Sequence, residues 1–197
     1  MTLHILCVAY NRVLPLRGLI DSFMNQTDNR WALNIMHDGP APEGVLKVVN
    51  DPFYTSDGRV HYKESEQCNG QWGHPNRSVM LENLAGACDD YVLMTNDDNY
   101  YVPMFVEFFL DQCRADVGMV YCNTVHNYMK YSVLYTRLKE NMIDMGSFIV
   151  RQSVAKAVGF KHRHLSADGK YAEECAVECS HNRLGIIYID KALFVHN

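Results

Sequence analysis

The stretch from Tyr91 to Pro103, YVLMTNDDNYYVP, joins an apolar run to a cluster of acids and amides. Its first part, Tyr91–Met94, is a short apolar run bounded by polar turn residues, which is typical of a buried strand. In an open α/β sheet, ligands bind just beyond the carboxyl ends of the strands. We therefore expect Asp97 and Asp98 to lie at a cleft, where their mutual repulsion favours a nearby cation. Oxygen ligands at such a site suit Mg²⁺ or Mn²⁺ bridging to phosphates.

A solvated turn is the alternative interpretation of the same residues. All four residues of Asn96–Asn99 are common turn formers. This stretch alone does not separate a turn from a metal site, so the rest of the chain has to decide between them.

The composition indicates one domain with a sizeable core, since the chain has 197 residues and is 48% hydrophobic. No apolar run approaches the roughly 20 residues that cross a bilayer. The start, MTLHILCVAYNR, lacks the basic region of a secretion signal. We therefore expect a cytoplasmic protein without a transmembrane segment.

Charge and cysteine usage exclude two further classes of protein. The formal net charge is −5 and no long basic run is present, which argues against a nucleic-acid partner. The seven cysteines are scattered and form no C-x-x-C pair, which argues against a zinc site or a disulfide framework. Most of them are expected to be small buried hydrophobes.

The first hundred residues alternate between strands and helices. Such alternation predicts an α/β fold with a mixed, mostly parallel sheet flanked by helices. The strand ends carry polar groups that can converge on one cleft, from Tyr10–Arg12, Asp38 and Asp97–Asp98. Predicted strands are Leu3–Tyr10, Trp31–Met36, Val60–Tyr62 and Tyr91–Met94, and predicted helices are Pro15–Met24, Val45–Val49 and Pro75–Ala87.

The second half of the chain has a different pattern. Two neighbouring predicted strands have no long helix between them, which predicts an antiparallel or mixed extension of the sheet. Gly159–Gly169 is predicted to be a loop that carries Asp168. Predicted helices are Pro103–Cys113, Ser153–Val158 and Tyr171–Arg183, and predicted strands are Gly118–Asn123, Tyr131–Tyr135, Met145–Val150, Ile186–Ile189 and Leu193–Val195.

Five segments follow one another in a fixed order along the chain. They are Tyr10-Asn11-Arg12 after the first strand, NIMHDGP at 34–40, Asn76-Arg77 at a helix start, Asn96-Asp97-Asp98-Asn99 after a predicted strand, and Ala167-Asp168-Gly169. Through the order of these segments, the chain resembles the family 2 glycosyltransferases of the GT-A fold over nearly its whole length, although no single motif is specific. In that family the fourth segment is the D-x-D region, and the fifth is an acidic motif such as E-D. The chain departs from the family pattern at His37, at Asn96 and in the A-D-G motif.

The resemblance implies an inverting, metal-dependent hexosyltransferase. Its donor would be a UDP- or GDP-sugar, its acceptor a hydroxyl of a glycan or another molecule, and its cofactor Mn²⁺ or Mg²⁺. It implies a single GT-A-like catalytic domain over residues 1–197, with a nucleotide-binding half at 1–100 and an acceptor-side half at 101–197.

The resemblance also implies roles for residues of the nucleotide-binding half. Tyr10, Asn11 and Arg12 would lie near the nucleobase. Asp38 would accept a hydrogen bond from the base, and Asp97 would face the ribose or the outer shell of the metal.

The remaining assignments concern the diphosphate and the acceptor. Asp98 would bind the metal that bridges the diphosphate. His196 resembles a histidine that some relatives place near the metal or the diphosphate. The leaving diphosphate gathers negative charge, so Arg77 at a helix start is a candidate for a charge-assisted bond. Asp168 is the candidate general base, and its alternative role is the N-cap of the helix Tyr171–Arg183.

Two other functions remain open at the level of sequence. The A-D-G departure permits a binding module that keeps the nucleotide-sugar site without transferase activity. A sugar nucleotidyltransferase on a similar sheet is the third possibility. That chemistry usually needs a Gly-rich, Lys-bearing loop after the first strand, where this chain reads YNRVLP.

Overall fold

The first strand of the chain lies inside the sheet and sends its side chains alternately into two cores. Leu3, Ile5 and Cys7 pack on one face, while Leu6 and Val8 pack on the other. A strand buried on both faces reads as a continuous apolar run, which is why the sequence identified it directly. The computed structural model that shows this describes all residues from 1 to 197.

A nine-stranded sheet forms the centre of the fold. Its strands are β1 (Leu3–Ala9), β2 (Trp31–His37), β3 (Val60–Glu64), β4 (Tyr91–Asn96), β5 (Tyr100–Tyr101), β6 (Val117–His126), β7 (Ser132–Leu134), β8 (Phe148–Arg151) and β9 (Gly185–His196). Its helices are α1 (Val13–Met24), α2 (Glu43–Val49), α3 (Pro52–Thr55), α4 (His74–Glu82), α5 (Phe105–Leu110), α6 (Gln152–Val158) and α7 (Ala167–His181). Three 3₁₀ turns cover Gln71–Gly73, Asn127–Met129 and Met145–Ser147.

The strand order is β3-β2-β1-β4-β8-β6-β9-β5, and β7 pairs with β6. All pairings among β1 to β4 are parallel, whereas β8 runs antiparallel to both β4 and β6. The predicted parallel first half and mixed second half are therefore both observed. The chain leaves β1 toward β2 and later returns to its other side with β4, so β1 and β4 flank a topological switch point.

Helices cover both faces of the sheet. One core joins the sheet to α1, α2 and α5, and the other joins it to α4, α6 and α7. Five of the seven cysteines are buried and all seven are free thiols, in agreement with the expectation that most fill core space. No helix of the structure combines the length and the apolar character that a membrane span requires.

Several predicted boundaries were wrong. The helix predicted at Pro75–Ala87 ends at Glu82, and the one predicted at Pro103–Cys113 covers only Phe105–Leu110. The short elements α3 and β5 were not predicted. The two strands predicted at the C-terminus are one strand, β9, whose pairing with β6 shifts register between Cys122 and Thr124. The bulge there reads as a break in the sequence pattern.

Candidate active site

The carboxyl ends of β1 and β4 meet at the switch point and bring the first predicted site residues together. Arg12 forms an ion pair with Asp98, and its Nη1 lies 3.4 Å from an oxygen of Asp97. The backbone N–H of Tyr10 donates to Asp97 at 2.9 Å. Because Asp97 is 2% exposed, burial raises its pKa to about 6 despite these contacts. The carboxylates that the sequence placed at a strand end therefore hold the segment after β1.

His37, which replaces an acid of the family pattern, also holds this segment. Its Nε2 accepts a hydrogen bond from the backbone N–H of Asn11 at 3.1 Å, so its Nδ1 carries the proton that is donated to the carbonyl of Gly39 at 2.7 Å. Asn11 has φ 55°, and the Tyr10 ring stacks on His37 at 6.0 Å with half of its surface exposed. His37 thus fixes the turn on which Tyr10 is presented.

Asp38 is 5% exposed and anchors the loop that precedes α4. Its carboxylate accepts hydrogen bonds from the backbone N–H groups of Asn69 and Gly70 at 2.8 and 2.9 Å. It also accepts from Asn76 Nδ2 at 2.9 Å, and Cys68 Sγ lies 3.3 Å away. These donors explain why the pKa of Asp38 is lowered although its burial acts to raise it. Recognition of the nucleobase by Asp38 stays a prediction. The observed contacts show that Asp38 holds the loop before α4 in place.

The anchored loop presents Trp72 on a strained backbone. Gly70, Gln71, Trp72 and Gly73 all have positive φ, at 61°, 51°, 55° and 77°. Two of them carry side chains, for which this region is costly, and such strain persists only where the surroundings over-determine it. The Trp72 carbonyl accepts a 2.6 Å hydrogen bond from Arg77, while the indole stays 60% exposed at a cleft.

Replacement of Gly73 by alanine tests how tightly this loop is seated. A Cβ at Gly73 would lie 2.4 Å from Val8 Cγ1, whereas a Cβ at Gly58, with nearly the same φ, would meet nothing within 4 Å. We expect Gly73→Ala to lower the free energy of unfolding by about 2–4 kcal/mol and Gly58→Ala by about 1 kcal/mol. Urea denaturation measures the free energy of unfolding of both variants. Equal losses would contradict close packing of the loop against Val8 of β1.

Arg77 is 2% exposed in the first turn of α4 and forms no ion pair with a carboxylate. Its guanidinium donates to three neutral acceptors, namely the Trp72 carbonyl, His74 Nδ1 at 3.1 Å and Asn96 Oδ1. Burial lowers the pKa of Arg77, and its Nε has no hydrogen-bond partner. The carboxylates of Asp168, Asp144 and Asp97 favour the charge of Arg77 only at a distance, without direct contact, so an approaching anion would further stabilise this buried cation.

His74 positions this guanidinium. Because His74 Nδ1 accepts from Arg77, its Nε2 carries the proton and donates to the His164 carbonyl at 3.1 Å. Burial, together with the charge of Arg77, lowers the pKa of His74 to about 4, so the ring is neutral at physiological pH. The sequence had assigned no role to His74.

Asp168 lies in the first turn of α7, and its placement on a loop was therefore wrong. The helix begins at Ala167, and its N-cap residue is Ser166, so Asp168 is not the N-cap either. Gly169 does not end the helix; a Cβ there would lie 2.7 Å from Glu140 Cα, so the glycine permits a close approach.

Burial, supported by the charge of Asp144, raises the pKa of Asp168 to about 6. Its Oδ1 accepts from the backbone N–H of Gly169 at 2.8 Å. A carboxylate whose proton affinity is raised toward neutral pH is suited to take up a proton during a reaction.

A cluster of two histidines and one carboxylate, His126, Asp144 and His196, lies in the same cleft and was only partly predicted. Their ligand atoms all lie within 4.8 Å of one another. His196 Nδ1 is 2.7 Å and His126 Nε2 is 3.9 Å from Asp144 Oδ2, and the two imidazole rings stack with centroids 4.3 Å apart. Burial lowers the pKa of His126. Burial acts in the same direction on His196, but the Asp144 carboxylate outweighs it and raises that pKa.

One open cleft of about 460 Å³ unites most of these groups. Of the residues predicted from sequence, five line it: Arg12, Arg77, Asp98, Asp168 and His196. Tyr10, Asn11, Asp38 and Asp97 do not line it. His74, His126 and Asp144 line it as well and were missed.

No protein-family model matches the sequence, and no curated protein matches it significantly. Solved structures do resemble the fold. TarS of S. aureus superposes with a TM-score of 0.76 at 16% identity, over 100% of this chain and 37% of TarS. The complex of TarS 1–349 with UDP-GlcNAc gives 0.77 at 17% identity, over 100% of this chain and 58% of that one.

A third structure comes from a different organism. The mannosyltransferase PcManGT of Pyrobaculum calidifontis, in complex with GDP-Man and Mn²⁺, gives a TM-score of 0.70 at 12% identity, over 98% of this chain and 56% of that one. The chain thus spans between about one third and three fifths of the length of these proteins. The likeness confirms the predicted architecture: the chain has the GT-A fold of these glycosyltransferases.

Proposed function

We propose that the protein is an inverting glycosyltransferase that uses a nucleoside diphosphate sugar and a divalent cation. One observation carries the proposal: Arg77, a buried cation without a direct salt bridge, and Asp168, a carboxylate of raised pKa, line the same cleft at the carboxyl ends of the parallel strands β1 and β4. Displacement of a diphosphate from a sugar needs both, because charge develops on the leaving group while the attacking hydroxyl loses a proton.

The proposed reaction is a single displacement. The acceptor oxygen forms a bond to the anomeric carbon of the sugar while its proton passes to Asp168. The bond from that carbon to the diphosphate oxygen breaks, and its electron pair leaves with the nucleoside diphosphate. Arg77 donates to the departing diphosphate, and the cation, when bound, neutralises further charge on it. Attack opposite the leaving group inverts the configuration of the sugar.

The nucleoside would lie at the ends of β1 and β2. Tyr10 offers an exposed ring that stacks on His37, and Arg12 offers a guanidinium whose position is fixed by ion pairs with Asp97 and Asp98. TarS binds UDP and UDP-GlcNAc, and the mannosyltransferase binds GDP-Man. A uridine or guanosine diphosphate sugar is therefore the proposed donor.

The walls of the cleft favour an acceptor that carries sugar rings. Trp72, Tyr128 and Leu165 line it with 60%, 84% and 75% of their surfaces exposed. Aromatic faces at an open site pack against the apolar faces of sugars, while their edges and the surrounding polar groups meet the hydroxyls. A glycan acceptor is accordingly preferred over another hydroxyl compound.

A thermal-shift panel of nucleoside diphosphates, with and without Mn²⁺, tests the proposal. We expect UDP or GDP at 100 times its Kd to add about 2.7 kcal/mol of stability, which raises the Tm of a domain of this size by about 5–10 °C. Uridine or guanosine at the same concentration serves as the control and should raise it less, because it lacks the diphosphate. If no nucleotide changes the Tm when Mn²⁺ is present, the proposal is wrong.

A further inference from the structure

Two of the three side chains in the His126–Asp144–His196 cluster lie on adjacent strands. His126 ends β6 and His196 ends β9, and the two residues are direct partners in the parallel pairing of these strands. Side chains of paired residues project from the same face of a sheet, which explains the stacked imidazoles. The pairing fixes the spacing of two nitrogen ligands on a rigid element.

Asp144 is supplied by a rigid turn that packs against the same strand ends. Its Oδ1 accepts from the backbone N–H of Gly146 at 3.1 Å, and its carbonyl accepts from Ser147 Oγ at 2.7 Å. A Cβ on Gly146 would lie 2.4 Å from Phe194, so the turn is pressed onto β9. Asp144 itself is 8% exposed, and its Oδ2 faces both histidines.

The hydrogen bonds inside the cluster do not use all the lone pairs with which these side chains could bind a metal ion. Although His196 Nδ1 lies 2.7 Å from Asp144 Oδ2, it is a buried atom without an aligned hydrogen bond. The backbone N–H of Tyr128 donates to Asn127 Oδ1 at 2.7 Å and, in a longer bond, to His126 Nδ1 at 3.3 Å. Because Asn127 Oδ1 alone satisfies that N–H, His126 can carry its proton on Nδ1 when a metal ion takes the lone pair of Nε2.

We propose that His126, Asp144 and His196 form a metal site that binds a divalent transition-metal ion before any nucleotide is present. Three protein ligands leave open positions, as in catalytic metal sites, and the opening faces the cleft that Arg77 and Asp168 share. Two imidazoles and one carboxylate suit Co²⁺ or Zn²⁺ best. Mn²⁺ binds such a set less tightly than these ions, but it accepts nitrogen ligands more readily than Mg²⁺ and Ca²⁺, which prefer all-oxygen sites.

This site differs from the Asp98–His196 pair that the sequence indicated. The carboxylate of Asp98 is engaged by Arg12 and does not belong to the cluster. The inference concerns the cation of the transferase proposed above, but the binding of metal alone is measured without a donor or an acceptor. Its outcome is therefore distinguishable from that of the nucleotide panel.

Metal binding to the chelator-treated chain, without nucleotide, tests the proposal. We expect calorimetry to show one Mn²⁺ per chain, bound at least tenfold more tightly than Mg²⁺. His126→Asn, Asp144→Asn and His196→Asn should each weaken Mn²⁺ binding by about 100-fold or more, since even outer-shell partners are worth 10–100-fold. Asp98→Asn is the control within the cleft and His162→Asn the histidine control outside it; both should bind Mn²⁺ like the wild type.

Pulsed electron paramagnetic resonance of the wild-type Mn²⁺ complex supplies a measurement that needs no variant to fold. Coupling to imidazole ¹⁴N is expected, and a spectrum without nitrogen coupling would overturn the proposal. So would wild-type protein that binds no Mn²⁺ in the absence of nucleotide, which would make the cluster an internal ion pair. If Asp98→Asn loses Mn²⁺ binding while His126→Asn and Asp144→Asn retain it, the metal ligand is Asp98 and the proposed cluster is wrong.

Discussion

Asp168→Asn is expected to lower turnover by about 10²–10⁴-fold and at the same time to make the protein more stable at pH 7. The loss follows from removal of the proposed general base. The gain follows because a carboxylate whose pKa is raised to about 6 by burial and by Asp144 opposes folding whenever it is ionised. A neutral amide of the same shape avoids that cost and can still accept from the Gly169 N–H.

The pH dependence of the stability gain has a defined sign. Below about pH 4 the carboxyl is protonated in both the folded and the unfolded chain, so wild type and variant should differ little. Between about pH 4 and pH 6 the unfolded chain ionises first, and the wild type loses stability relative to the variant. The difference should level off above pH 6, at no more than about 3 kcal/mol for a shift of about two pKa units.

Urea denaturation from pH 4 to pH 8 measures this difference, and release of nucleoside diphosphate from the donor measures turnover. Asp116→Asn is the control, because the Asp116 side chain is 80% exposed and lies outside the cleft. Unchanged turnover in Asp168→Asn would place the base elsewhere. A variant less stable than the wild type at pH 7 would mean that the helix N-terminus stabilises the charge more than burial opposes it.

The parts of the site that sequence could predict are those supplied by single strand ends. Parallel strands joined by one helix are local units, so the run YVLMTNDDN predicts both a strand and the polar groups at its carboxyl end. Arg12 and Asp98 follow the adjacent strands β1 and β4, and the structure places both in one cleft, as expected. Their direct ion pair was not predicted. The architecture of residues 1–100 was predictable for the same reason.

The missed part of the site depends on pairing between distant segments. His126 precedes His196 by 70 positions, and only the register of β6 with β9 makes them neighbours. Asp144 reaches them from a turn whose position is set by Gly146 and Phe194 packing, which no periodicity reveals. The local signal was weak: His196 directly follows an apolar run, as Asp98 nearly does, whereas Asn123 and Thr124 interrupt the run before His126.

The two halves of the chain contribute different chemistry to the cleft. The first half provides Arg77 and the Arg12–Asp98 pair, whereas the second provides Asp168 and the His126–Asp144–His196 cluster. His74 links them, since it binds Arg77 through Nδ1 and the His164 carbonyl through Nε2. The division into a nucleotide-binding and an acceptor-side half remains a prediction that the residue-level variants can test.

Replacement of Arg77 is expected to lower the affinity for a nucleoside diphosphate while leaving the affinity for the free nucleoside nearly unchanged. Hydrogen bonds to charged groups contribute about 1.5–3 kcal/mol, so Arg77→Met should weaken UDP or GDP binding by roughly 10–150-fold. The affinity for the free nucleoside should stay within about twofold, because the Arg77 guanidinium is proposed to meet only the phosphates. Arg77→Lys keeps the charge but not the planar fork of donors, so its affinity for UDP or GDP should lie between those of the wild type and Arg77→Met.

The nucleoside comparison makes this expectation decisive, because Arg77 also holds the strained loop. Arg77→Met removes the donor from three acceptors, the Trp72 carbonyl, His74 Nδ1 and Asn96 Oδ1, and a collapsed loop would weaken the binding of nucleoside and nucleotide alike. Arg59→Met is the matched control, since Arg59 pairs with Asp57 and lies outside the cleft. Calorimetry with UDP and uridine, or with GDP and guanosine, measures each affinity. Equal weakening of nucleotide and nucleoside would reduce Arg77 to a loop anchor, whereas selective loss of nucleotide affinity identifies the buried guanidinium as the diphosphate-binding group.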